Sequence, residues 1–189
     1  MNEEKIHLGG SWPGGDPHTI MLDVWEWLIN QYNLKSIIDV GCGHGHTVLY
    51  FENLGINCLG VEGHSQTISE KVCSGDIIEH DYTKGKLDLI SDKTFDLAWS
   101  AEFVEHVEEQ YVPNFMHTYE SCKHACITHA VPGQNGHHHV NCQTTEYWVD
   151  IFNKHGFDYD ETATDLIRSM SNGKSASWGR NTLTLFHKR

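Results

Sequence analysis

Apolar positions along this chain follow two periods, one typical of buried strands and one typical of amphipathic helices. Helical spacing is clearest in residues 20–32, where one stripe collects Met21, Val24, Trp25, Leu28 and Ile29. Short apolar runs instead predict buried strands, and they occupy residues 37–40, 57–61, 95–100 and 125–130. Further helices are predicted at residues 46–54, 65–72 and 145–155, with Ser65 as the N-cap of the second. This alternation predicts an α/β fold with one core.

The two ends of the chain depart from this alternation. Residues 1–18 are rich in glycine and proline, so we expect an irregular N-terminal leader or a flap over the site, with residues 19–189 as one domain. Residues 157–162 and 182–187 are predicted to be the last two strands, with a helix fragment and a loop between them.

Composition narrows the classes of partner. The chain has 189 residues, a formal net charge of −13 and only 13 Lys and Arg, which excludes duplex DNA and disfavours an RNA 3′ end. There is no run of about 18 apolar residues and no signal-like N-terminus, so we expect a cytoplasmic protein that does not enter the membrane. Six cysteines in a chain of this size are predicted to be reduced thiols.

A glycine-rich loop follows the first predicted strand directly. Gly41, Gly43 and Gly45 allow a sharp turn and close approach of the backbone to a ligand, and the next helix presents unpaired N–H groups. The spacing is G-x-G-x-G rather than the dinucleotide pattern G-x-G-x-x-G, and Asp39 before it would repel a pyrophosphate. The loop therefore indicates a cationic ligand that carries a nucleoside.

This loop resembles motif I of the class I S-adenosylmethionine-dependent methyltransferases, and later segments resemble that family in order and spacing. The resemblance implies a single Rossmann-like domain with a mostly parallel seven-stranded sheet, helices on both faces and an antiparallel last strand. It places Glu62 on the ribose hydroxyls and Asp81, at the end of a third strand at 77–82, on the adenine amine. The implied cofactor-binding residues are Asp39, Gly41, Cys42, Gly43, Glu62, Gly63, Asp81, Tyr82, Ser100 and Ala101.

A second constellation follows the fourth predicted strand. Glu102, Glu105 and His106 have i, i+3 and i+4 spacing, which predicts one shared helical face beside the donor methyl. Two converging carboxylates repel each other unless they are protonated or bridged by a cation. Residues 137–139, three histidines, follow the fifth strand and are predicted to rise at the same edge of the sheet.

The E-x-x-E-H run resembles the small-RNA 3′-terminal 2′-O-methyltransferases and the ubiquinone-pathway O-methyltransferases, which use a metal. That resemblance implies His139 as the fourth ligand, with His137 and His138 as alternatives. Mn²⁺, Fe²⁺ or Co²⁺ suits two carboxylates and two imidazoles better than Mg²⁺. The implied metal ligands are Glu102, Glu105, His106 and His139, of which Glu105, His106 and His139 are also the predicted catalytic residues.

The predicted function is S-adenosylmethionine-dependent methyl transfer to a hydroxyl of a small metabolite or sugar. Without a metal, His106 or a histidine of residues 137–139 would act as a general base. An NAD(P)-dependent oxidoreductase is the alternative enzyme class, weakened by the glycine spacing and the lack of a Tyr-x-x-x-Lys pair. A non-catalytic cofactor-binding subunit is the third interpretation.

Three other features have structural interpretations. A zinc site formed by Cys122, Cys126 and nearby histidines is disfavoured because a strand would place these side chains on opposite faces. His129 is predicted to be a hydrogen-bonded core or rim histidine. Trp148 and Phe152 have helical spacing and are predicted to lie in the core, although Trp148 could instead wall the substrate pocket.

Overall fold

A seven-stranded sheet forms the centre of the protein. The computed structural model describes residues 7–8, 12–89, 94–170 and 177–189. Strand order in the sheet is β3-β2-β1-β4-β5-β7-β6, and β7 is antiparallel to both of its neighbours while the other pairs are parallel. This confirms the predicted fold class. The strands are β1 (Ser36–Val40), β2 (Asn57–Glu62), β3 (Ile77–Glu79), β4 (Phe95–Ser100), β5 (Cys122–Ile127), β6 (Phe157–Tyr159) and β7 (Thr184–Lys188).

Helices cover both faces of this sheet, which explains why the central strands are almost continuously apolar. Trp25, from the first helix, lies in the apolar layer on one face and meets Trp99 of β4 at 5.7 Å between ring centroids. On the other face Phe152 stacks on Phe186 of β7 at 4.0 Å. The helices are α1 (Leu22–Tyr32), α2 (His46–Asn53), α3 (Ser65–Ser69), α4 (Val112–Tyr119), α5 (Thr145–Lys154), α6 (Glu161–Met170) and α7 (Ser177–Thr182).

The order of the strands determines where a ligand can bind. From β1 the chain proceeds outward to β2 and β3, then returns to place β4 on the other side of β1. In open α/β sheets the crevice outside the carboxyl ends of the strands at such a reversal is the usual ligand site. Here the carboxyl ends of β1 and β4 are adjacent, and both the glycine loop and the segment that begins at Ala101 leave the sheet there.

Several predicted boundaries in the first half of the chain are wrong. The third strand ends at Glu79 rather than at Tyr82, because the Asp81 carboxylate accepts the Thr83 N–H and starts a 3-10 turn. Helix α3 is five residues long and its N-cap is His64, so Ser65 is its first residue.

The second half of the chain also differs from the prediction. Strand β5 begins at Cys122 and ends at Ile127, three residues earlier than predicted at each end. The segment before β7 holds the ten-residue helix α6, which buries Ala163, Thr164 and Ile167, rather than a helix fragment. Residues 171–176 of that segment lie outside the described residues.

Two expectations concern location and redox state. In the described part of the chain, no helix is both long and apolar enough to cross a membrane, and the cytoplasmic location stays a prediction. All six cysteines are free thiols, as predicted, and five of them are buried.

Candidate active site

A cleft opens at the carboxyl ends of the strands, as the reversal of strand order predicts. It encloses about 1200 Å³, part of which is open to solvent. All the predicted cofactor-binding residues except Ser100 line it. Ser100 is fully buried, and its hydroxyl donates to the carbonyl oxygen of Val40, so it joins β4 to β1 instead of facing the cleft.

Glu62 fastens the glycine loop to the end of β2. Its Oε2 accepts the Gly43 N–H at 3.0 Å, and its Oε1 accepts the His64 N–H at 2.8 Å. Burial raises the pKa of this carboxyl, while the same backbone donors act in the opposite direction. A carboxylate has about four acceptor positions, so Glu62 retains capacity for hydroxyl donors from a ligand in the cleft.

Asp39 is a second acid at the floor of the cleft, and it lacks a full set of partners. It is 3% exposed, and its Oδ2 has no hydrogen-bond partner among the described residues. Burial raises its pKa from 3.8 to about 7, and the nearby charge of Glu62 adds to this effect although Thr47 opposes it. An unpartnered buried acceptor is costly, so this site favours a ligand with an ammonium or hydroxyl donor.

The described part of the leader lies against the adenine side of the predicted site. His7 Nε2 is 2.9 Å from Asp81 Oδ2, and Thr83 donates to the other oxygen of that carboxylate. Burial raises the pKa of Asp81, but these hydrogen bonds outweigh it and hold the pKa below its usual value. Leu8 covers Gly63, and Trp12 lines the cleft with 64% of its surface exposed. These positions are compatible with a flap, which stays a prediction.

The predicted helical face at residues 102–106 is wrong as local structure. Only Val104–His106 is helical, as a single 3-10 turn, and Glu102 lies outside it with a left-handed backbone at φ 54°. The side chains nevertheless converge: the carboxyl groups of Glu102 and Glu105 lie close enough to interact. Ligand atoms of Glu105, His106 and His139 all lie within 4.8 Å of one another.

Burial and missing partners distinguish this cluster from an ordinary polar patch. Glu105 is fully buried, and neither carboxylate oxygen has a well-formed hydrogen bond to a described residue. Its pKa lies well above the usual value because of burial first and the charge of Glu102 second. Burial, reinforced by His139, lowers the pKa of His106 to about 4, so this imidazole is neutral at pH 7. Its Nδ1 has no well-formed hydrogen bond to a described residue. The donor set fits a divalent cation.

Backbone hydrogen bonds attach the histidine loop to this cluster. The N–H groups of Val140 and Asn141 both donate to the carbonyl oxygen of Glu105 at 3.0 Å. His139 Nδ1 lies 3.3 Å from the carbonyl oxygen of Gln134, and its ring meets that of His106 at 5.0 Å between centroids. If Nδ1 donates to Gln134, Nε2 is left as the free ligand atom, a common arrangement in metal sites.

The structure separates the three histidines that the sequence left as alternatives. His139 alone joins the cluster with Glu105 and His106. His137 is exposed, and His138 has a left-handed backbone at φ 50° and an Nε2 without a partner in the described part of the chain.

The features with structural interpretations lie outside this site. His129 is fully buried, and its Nε2 lies 3.1 Å from Thr145 Oγ1, which confirms a hydrogen-bonded core histidine. Trp148 is fully buried in the core and does not line the cleft. Among the described residues, Cys122 and Cys126 belong to no group that could hold a metal ion.

Sequence reasoning missed two residues that support the cluster. Thr128 was assigned only to a strand, yet its hydroxyl accepts the N–H of Glu102 at 2.9 Å. Asn141 lies three residues before Thr144, the N-cap of α5, and its N–H donates to the Glu105 carbonyl oxygen. Asn141 is 2% exposed and its Nδ2 has no partner among the described residues. No periodic signal marks either position.

Comparison with known proteins agrees with the fold and the cleft. Residues 38–119 match the family model described as a methyltransferase domain. No curated protein matches the chain significantly. The matched segment is similar to a methyltransferase domain and runs from β1 through α4.

Solved structures resemble the chain at low sequence identity. Magnesium protoporphyrin IX methyltransferase from Synechocystis PCC 6803, solved with bound SAM, has 14% identity and a TM-score of 0.63 over 88% of this chain and 76% of its own. A TehB-like SAM-dependent methyltransferase from Corynebacterium glutamicum has 19% identity and a TM-score of 0.62 over 94% and 91%. The methyltransferase domain of bacterial CtHen1-C has 13% identity and a TM-score of 0.62 over 87% and 96%. These likenesses show the shared fold.

Proposed function

We propose that this protein transfers the methyl group of S-adenosylmethionine to a hydroxyl of a small metabolite or sugar, with a divalent metal bound beside the donor. One observation carries the acceptor half of the proposal. Glu105 is fully buried, neither of its carboxylate oxygens has a well-formed hydrogen bond to a described residue, and ligand atoms of His106 and His139 lie within 4.8 Å. A buried carboxylate without partners is strongly unfavourable, so a bound cation would stabilise this arrangement.

The donor half rests on the acids around the glycine loop. All three line the cleft, and in this proposal Glu62 accepts the ribose hydroxyls and Asp81 the adenine amine. Asp39 accepts a donor of the ligand at Oδ2, which has no partner among the described residues. Together these three acids select a ligand with several hydrogen-bond donors and a positive charge. The NAD(P) alternative lacks such support, because Asp39 would repel a pyrophosphate beside the glycine loop.

The acceptor half uses the chain's own residues to hold and orient. Glu105, His106 and His139, with Glu102 nearby, would hold the metal, and the fully buried Glu105 would shield its inner side from water. When bound, a divalent metal lowers the pKa of a coordinated hydroxyl and orients it. Glu102 and Trp12 both line the cleft that would hold the acceptor. Mn²⁺, Fe²⁺ and Co²⁺ are preferred to Mg²⁺ because two of the ligands are imidazoles.

The metal-free alternative is weaker on the same geometry. A general base works best with a pKa near the working pH, whereas burial lowers the pKa of His106 to about 4. A base this weak removes a hydroxyl proton poorly at pH 7. A neutral, unprotonated imidazole is instead the form that binds a metal.

The net charge bears on the size of the acceptor. At −13, the chain has no excess of cations to neutralise a phosphate backbone, so a small hydroxylated acceptor is preferred to an RNA end. Two neighbouring hydroxyls on the acceptor would suit a metal that both orients and activates it.

Transfer of a labelled methyl group tests this proposal. Chelator-treated protein is incubated with methyl-labelled S-adenosylmethionine and a panel of catechols, sugars, nucleosides and short RNA ends, with and without Mn²⁺. We expect Mn²⁺-dependent label in a small diol, loss of it in Glu105→Gln, and its retention in the exposed control Glu108→Gln. Equal transfer in the presence of chelator would refute the proposed role of the metal. Transfer only to amines or thiols would refute a hydroxyl as the acceptor.

A further inference from the structure

Thr128 connects β5 to the exit of β4 through two hydrogen bonds. It follows β5 directly and is fully buried. Its N–H donates to the carbonyl oxygen of Ser100 at 3.0 Å, which continues the pairing of the two strands by one step. Its hydroxyl Oγ1 accepts the N–H of Glu102 at 2.9 Å. Thr128 thus holds both Ser100, the last residue of β4, and Glu102, two residues after it.

The second contact is made to a residue in an unfavourable conformation. Glu102 has φ 54°, and a residue with a side chain adopts this left-handed region only at a cost of about 1 kcal/mol. Such strain persists only where the surroundings determine the conformation, and it is concentrated at functional sites. In this left-handed conformation the N–H of Glu102 donates to the hydroxyl of Thr128.

The direction of the Glu102 side chain depends on this conformation. In the left-handed form the Glu102 carboxyl lies beside that of Glu105, despite the repulsion expected between two acids. If Glu102 moved to a helical or extended backbone, its side chain would leave Glu105.

We infer that Thr128 is a positioning residue whose hydroxyl holds Glu102 in the left-handed conformation and so keeps its carboxyl beside Glu105. The inference rests on the proposed function in one respect, namely that Glu102 contributes to the metal and acceptor site. The backbone conformation of Glu102 can be measured without that assumption.

Two substitutions separate the hydroxyl from the shape of the side chain. Thr128→Val keeps the volume but removes the acceptor, whereas Thr128→Ser keeps the hydroxyl. Thr164→Val is the matched control, because Thr164 is also fully buried and its hydroxyl accepts a backbone N–H, that of Leu185, at 3.0 Å on α6. Each variant is examined by crystallography and by calorimetric titration with Mn²⁺ and, separately, with S-adenosylhomocysteine.

The crystal structures decide the inference directly. We expect Glu102 to keep φ near 54° in Thr128→Ser and in the control, and to move to a negative φ in Thr128→Val. An unchanged left-handed Glu102 in Thr128→Val would overturn the inference.

The titrations connect that conformation to the site. We expect Mn²⁺ affinity to fall about tenfold in Thr128→Val and to return in Thr128→Ser, with S-adenosylhomocysteine affinity unchanged throughout. An equal loss in the Thr164→Val control would show a general effect of losing a buried hydroxyl and would contradict the positioning role. If the unaltered protein binds no Mn²⁺, the metal of the proposed function fails, and the crystal structures still decide the role of Thr128.

Discussion

Glu62→Gln is the most informative single change in the donor half of the cleft. The substitution keeps the size of the side chain but replaces one acceptor oxygen by an amide N–H₂ group. Both oxygens of Glu62 now accept backbone N–H groups, from Gly43 and from His64. Whichever way the amide turns, one of these N–H groups faces another donor.

The expected loss of affinity comes from the proposed bond between Glu62 and a ribose hydroxyl. A hydrogen bond to a charged group contributes about 1.5–3 kcal/mol, and the amide removes that charge. The loss of one such bond corresponds to an S-adenosylhomocysteine affinity about 10- to 150-fold weaker. A loosened glycine loop would add to this effect, because Gly43 is the residue that Glu62 holds.

Calorimetric titration with S-adenosylhomocysteine measures the loss, and thermal unfolding verifies that each variant is folded. Glu79→Gln is the control, since Glu79 pairs in register with Glu62 on the neighbouring strand but is exposed. We expect the control to bind like the unaltered protein. An affinity within threefold in a folded Glu62→Gln variant would refute the donor site as described.

Three further predictions follow from single contacts. Burial raises the Asp39 pKa from 3.8 to about 7, so this group contributes stability that is present below pH 3.8 and lost as the pH rises to about 7. Between pH 4 and pH 8 the free energy of unfolding should fall by on the order of 4 kcal/mol more in the unaltered protein than in Asp39→Asn, as measured by urea unfolding. Parallel pH profiles of the two proteins would contradict this. Excess Mn²⁺ should raise the melting temperature by about 5–10 °C in the unaltered protein and in His137→Ala, but not in His139→Ala, and a rise in all three would exclude His139 as a ligand. Gly41→Ala should lower stability by about 1–3 kcal/mol, because φ is 77° and the added Cβ would lie 2.7 Å from the ring of Phe103. An unchanged melting temperature would refute this.

The sheet and its helices were largely predictable because burial on both faces leaves a clear apolar signal. Strand β4 was predicted at its observed limits, and β2 to within one residue. The start of β5 was missed because Lys123 and His124 interrupt the apolar pattern, although Cys122 and His124 pair with Phe95 and Leu97 of β4. Helix α6 was underestimated because one of its three buried positions is a threonine, Thr164.

The candidate site was predictable in its residue types but not in its geometry. The E-x-x-E-H spacing suggested convergence, yet the convergence is produced by a left-handed Glu102 and a 3-10 turn. That conformation depends on Thr128, which lies 26 residues further along the chain. The choice of His139 depends likewise on the Val140 and Asn141 N–H groups that bind Glu105. Local sequence patterns contain no information on contacts of this kind.

Titration of Mn²⁺ into chelator-treated protein saturated with S-adenosylhomocysteine, with Glu105→Ala measured beside it, determines whether the cluster of Glu105, His106 and His139 binds a metal. We expect one bound ion per chain in the unaltered protein and none in the variant, because Glu105 supplies the fully buried carboxylate of the cluster. Equal binding by both proteins, or no binding by either in a protein that still binds S-adenosylhomocysteine, would contradict a metal-assisted transfer to a hydroxyl.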